Sequence, residues 1–143
     1  VLNLAKAILL GFALTLLPLG ASAQVPYTSF PTQPFSFAAN GTVTINNIDG
    51  MSYCVVTVNS GSTMGSGTIT LEVNADATTT YYAVSGAADM GVPGTVTQTI
   101  TAAGKHITVP VSGESVLALV LSGATSPVIT GNVHCNAAPG AAL

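Results

Sequence analysis

The sequence predicts an all-β fold: a two-sheet antiparallel β-sandwich, jelly-roll or Ig-like, with about eight short strands. Three observations predict it. From Gly41 onward, short Thr- and Val-rich runs recur between Gly, Asn and Ser punctuation, the composition and spacing of strands separated by turns. Two of these runs alternate with a period of two. TITLEVN places Ile69, Leu71 and Val73 on one face, and HITVPV places Ile107, Val109 and Val111 on one face, the pattern of strands with one wet side. Finally, only 5% of residues are charged, so the charged outer stripe of an ordinary surface helix is missing.

Taken in order, residues 1–23 read as an export signal. Lys6 supplies a positive start, an apolar run follows to Gly20 with Pro18 near its end, and Ala21-Ser22-Ala23 gives the small-x-small cleavage pattern before Gln24. The run is short for a bilayer span, so a membrane is expected to be met only through the leader, if it stays uncleaved. Residues 24–37 (QVPYTSFPTQPFSF) hold three prolines, which disfavour helix and central strand. They read as an extended arm whose rings, Tyr27, Phe30, Phe35 and Phe37, pack back on the domain edge or meet a partner.

The sandwich is expected over 38–136, with strands at 42–46, 53–59, 68–74, 79–84, 95–101, 106–111, 115–122 and 127–135. SVLALVLS at 115–122 is apolar on both faces and flanked by Gly113 and Gly123, which predicts a central strand. Residues 137–143 are small and Ala-rich and read as a flexible tail.

Beyond the leader, Lys105 stands alone against Asp49, Glu72, Asp76, Asp89 and Glu114. That balance excludes nucleic acid, which needs Lys and Arg to neutralise phosphates, and provides no polybasic patch for anionic membranes. Cys54 shares a face with Val56 and Val58, and Cys135 shares one with Ile129 and Val133. Both thiols therefore point inward, and an even cysteine count in an exported chain reads as one disulfide. Neither CxxC nor CxxH spacing is present, so no metal role is assigned to them.

His106 and His134 fall on outward faces and read as isolated surface histidines, since a zinc site needs three or four converging ligands. Asp49, Asp76 and Asp89 fall in predicted turns, where aspartate satisfies turn backbone; calcium would need several oxygen ligands from the same loops. There is no GxSxG elbow, and no cofactor motif stands out. Asn40-Gly41-Thr42 matches the N-glycosylation pattern, which has meaning only in a eukaryotic secretory pathway.

The segments GTITLEVNADATTTYYAVSG (67–86), GKHITVPVSGESVLALVLSG (104–123) and PVITGNVHC (127–135) together resemble the small β-sandwich domain of tailed-phage virion structural proteins. The resemblance implies the sandwich fold and a head- or tail-associated structural role, and it brings no catalytic residues. The chain departs from that pattern in having Tyr82 where a Trp-Tyr pair is usual, and Leu117, Leu119 and Leu121 in place of an Arg-rich strand. The export signal and the cysteine pair depart from it as well.

The expected function is that of an exported, non-catalytic structural or adhesive module, extracellular, periplasmic or on the cell surface. Its partner would be a protein or glycan surface, met through Tyr53, Tyr81, Tyr82 and Met90 and the Gly-rich loops 59–67 and 86–94. Oligomers are left open. The alternative is a small carbohydrate-binding or accessory domain, with Tyr53, Tyr81 and Tyr82 stacking on sugar rings.

Overall fold

The computed structural model describes residues 30–75, 80–91 and 96–137. The expected leader, the first half of the proline-rich arm, Asp76 and the tail beyond residue 137 lie outside these residues. Among the described residues the chain runs β1 (Gln33–Phe37), β2 (Gly41–Asn46), β3 (Tyr53–Val58), β4 (Thr68–Asn74), β5 (Tyr82–Ala83), β6 (Ala88–Asp89), β7 (Thr99–Ile100), β8 (His106–Pro110), β9 (Val116–Ser122) and β10 (Ile129–Asn136). One sheet has the order β1-β10-β3-β8-β6; the second has the order β2-β9-β4-β5, with β7 also paired to β4.

All the pairings are antiparallel, and four of them are nested: β1 with β10, β2 with β9, β3 with β8, and β4 with β5. The chain is thus one long hairpin ribbon, rolled so that β10 also reaches β3 and β9 also reaches β4. This is a jelly roll, and it decides between the two sandwich types that the sequence left open.

The core lies between the sheets. Ile45, Ile69, Leu71, Ile107, Leu117, Leu119, Leu121 and Ile129 are fully buried within it, as the period-two faces of their strands require. β9 is central, flanked by β2 and β4. Its outward residues Val116 and Ala118 are buried as well, because in register they lie between Asn46 and Asn74 and between Thr44 and Glu72.

Four expectations about the elements need correcting. Residues 33–37, read as an arm, form β1 and belong to the sheet. Pro34 is tolerated because β1 is an edge strand, where a missing N–H leaves no ladder bond unmade. Among the described residues the strand expected at 79–84 is Tyr82–Ala83, and that at 95–101 is Thr99–Ile100; both share the outer side of β4, one after the other. β6 went unforeseen, since two residues give no alternation to read. The strands therefore number ten among the described residues, not about eight.

Gly131, in the middle of β10, sits opposite Phe35 on one side and Val58 on the other. A Cβ there would run into the Thr57 carbonyl oxygen and the Phe35 ring. The ring thus fills the place a side chain would take, a recurrent way of supporting a strand glycine.

Candidate functional site

Cys54 and Cys135 face each other in register on β3 and β10 and form a disulfide, with both residues fully buried. The bond joins neighbouring strands of one sheet and bridges 81 residues of sequence. Disulfides form and persist in oxidising surroundings, so the bond points to a compartment of that kind.

The outer face of the same sheet mixes uncharged polar groups with small apolar ones. One row, read across the strands, is Pro34, Asn132, Thr57 and His106; the next holds His134, Val55, Thr108 and Ala88. Thr57 Oγ1 lies 3.1 Å from His106 Nδ1, and Thr32 Oγ1 lies 3.2 Å from His134 Nδ1. β3 separates the two imidazoles' strands, which lie about 10 Å apart, and the two histidines are also two residues out of register. Among the described residues no three His, Cys, Asp or Glu side chains converge.

One end of this face is tied to the loop after β3. Asn59 Nδ2 donates to Thr130 Oγ1 at 2.9 Å, Ser62 Oγ donates to the Thr130 carbonyl at 3.1 Å, and the Thr130 amide donates back to Ser62 Oγ at 3.0 Å. Thr63 and Val128 add a β-bridge. Residues 59–63 of the loop 59–67 are thus tied to β10 and to Val128 just before it. The described part of the 86–94 loop contributes β6 and buries Ala87 and Asp89.

The four residues expected to touch a partner do not form one surface. Tyr53 is half-buried at the start of β3, opposite Pro110 at the end of β8. Tyr82 on β5 is 67% exposed and lines a cleft of about 350 Å³ with Val73, Ser85, Pro110, Ser112 and Glu114. Tyr81, half-buried, does not line that cleft. Met90 is exposed but belongs to the other end of β8, where its amide donates to the His106 carbonyl at 2.9 Å. The three-tyrosine stacking platform of the carbohydrate reading is therefore not assembled, although Tyr82 and Tyr53 approach the same proline from the two sheets.

Of the aspartates, Asp49 accepts a hydrogen bond from Ser115 Oγ at 2.7 Å. Asp89 is 8% exposed and pairs with Lys105 Nζ at 2.6 Å, while the Gly91 amide donates to its other oxygen at 2.9 Å. The lysine hydrogen bond, and after it the Gly91 amide, hold the Asp89 carboxyl below its ordinary value. The Gly91 bond is the turn-satisfying role expected of these aspartates; the lysine partner, distant in sequence, was not legible. Asn132, Thr130 and Ser62 were missed for the same reason. Their alternation predicts an outward face, but only the register shows which of them are neighbours.

No family model matches the chain, and no curated protein matches it. The structure is similar to the crystal structure of SPBc2 prophage-derived protein YomS, with a TM-score of 0.54, 12% sequence identity, and coverage of 76% of this chain and 95% of that one. At that identity the likeness is one of fold.

Proposed function

We propose that the chain is a non-catalytic structural or adhesive module that works outside the cytoplasm, extracellular, periplasmic or virion-associated, and docks on a protein or glycan surface. The observation that carries this reading is the outer face spanning β1, β10, β3 and β8, where hydroxyl, amide and imidazole groups are fixed by one another and by backbone. Such a face is preorganised, so binding costs little further side-chain ordering. It is also uncharged, which suits a neutral hydrogen-bonding surface better than nucleic acid. The likeness to a prophage-derived protein supports a phage-type structural module through the fold alone.

The test is binding of the labelled protein to intact cells, phage particles and immobilised glycans. The double substitution Asn132→Arg and Thr108→Arg, both on the outer face, is expected to cut retention at least tenfold with an unchanged thermal melt. Undiminished retention would refute this use of the face, and hydrolysis of a glycan or ester lost on His106→Ala or His134→Ala would overturn the non-enzymatic reading.

A second reading, a small carbohydrate-binding domain, is favoured by the cleft at Tyr82. An exposed phenol ring beside Pro110, with Ser112 and Glu114 within reach, offers an apolar face and hydrogen-bonding groups to a single sugar ring. Loss of glycan retention on Tyr82→Ala, with the outer-face variant unaffected, distinguishes it.

A further inference from the structure

We propose that β2 is a docking edge for a second copy of the chain, which pairs with it antiparallel through its own β2 and continues the second sheet across a two-fold axis. Unpaired strand edges present rows of backbone donors and acceptors that recruit other strands, so monomeric proteins blunt them with short strands, prolines or charges. Three of the four borders here are blunted. β1 carries Pro34, β6 has two residues and is followed by the Ala88–Val96 bridge, and the border beyond β4 is divided between the two-residue strands β5 and β7.

β2 is different. It has six residues, GTVTIN, with no proline and no charged side chain, and among the described residues only β9 pairs with it. Thr42, Thr44 and Asn46 are exposed, and Val43 is partly buried against the core. Its anchorage is firm, because Asn40 holds the chain just before it through two hydrogen bonds to the Ala124 backbone. This is a regular strand whose second side no described residue pairs with.

The occupant follows from self-complementarity. An antiparallel partner must carry the same alternation, placing apolar residues beside Val43 and Ile45 at the core and hydroxyls beside Thr42 and Thr44 outside. β2 itself does so. A two-fold axis through the middle of the strand sets threonine beside threonine and β-branched residues beside one another, both favourable cross-strand pairs. All six charged side chains beyond the leader lie off β2, so two net-negative copies meet without like charges in contact. A two-fold interface of this sort is the commonest form of closed assembly.

The proposal concerns self-association and does not depend on what the outer face of the first sheet binds, and a mass measurement tests it separately. Sedimentation equilibrium on the purified protein is expected to give a monomer–dimer equilibrium, with a melting temperature that rises with protein concentration. Thr42→Lys with Thr44→Lys sets like charges opposite each other across the pair and is expected to leave a folded monomer whose melt is independent of concentration. Mixing that variant with Thr42→Glu/Thr44→Glu is expected to restore a dimer, now mixed and salt-sensitive. A wild-type protein that is monomeric at its highest soluble concentration overturns the proposal. So does a dimer that the lysine pair leaves intact, or a lysine variant that the glutamate variant does not rescue.

Discussion

Asn40 shows how much one exposed side chain fixes. It closes the corner between the two sheets by behaving as a short strand: its Oδ1 accepts from the Ala124 amide at 2.9 Å, and its Nδ2 donates to the Ala124 carbonyl at 3.1 Å. Asn40→Asp keeps the size and the first bond but removes the donor. We expect a loss of about 1 kcal/mol, the net worth of one hydrogen bond, seen as a lower urea midpoint with an unchanged slope. A glycan on the Asn40 amide would compete with the same donor. In the sequence Asn40 was visible only as part of a glycosylation pattern, because its partner stands 84 residues away. The cysteines were legible for the opposite reason: each advertises an apolar face through its own neighbours, whatever lies across from it.

At the scale of elements, length decided what the sequence revealed. β4 and β8 repeat their alternation over seven and five residues, β9 is a seven-residue strand apolar on both faces, and all three were placed to within a residue or so. β5, β6 and β7 are two residues long and exist because a neighbour supplies hydrogen bonds, a tertiary cause with no local signature. β1 was hidden by Pro34, which bars a central strand but not an edge. The short β6 is held to the rest of the sheet by Lys105 and Asp89. Because the Asp89 carboxyl titrates below its ordinary value of 3.8, its contribution is fully present above that value and is lost as pH falls through the depressed one. Wild-type stability is therefore expected to decline below about pH 4 more steeply than that of Lys105→Met, a difference that urea melts between pH 7 and pH 3 would measure. Parallel declines for the two proteins would show that the pair contributes nothing.

For the molecule as a whole, the nested pairings make most contacts long-range, and the Cys54–Cys135 bond ties the third strand to the last. Closing 81 residues restricts the unfolded chain, and a disulfide typically stabilises the native state by about 2–4 kcal/mol. For a domain of this size reduction should lower the melting temperature by about 10 °C, read by calorimetry with and without reductant. Two thiols alkylated in the native, unreduced protein would contradict the bond. The jelly-roll order itself was not legible, since the strand pattern fits several sandwiches and only the pairing of distant strands selects one.

The two ends of the sandwich leave from the same place: β1 pairs with β10, and the Phe30 amide donates to the Cys135 carbonyl at 3.0 Å. Mechanically, tension between the two ends does not shear these strands but peels them apart, loading one hydrogen bond at a time. β1 would come away first at low force, then β2, until the pull reached Cys54. There the covalent bond takes the load, and everything between Cys54 and Cys135 is shielded from extension. A tether through this module would therefore lengthen by a short, fixed amount and then hold.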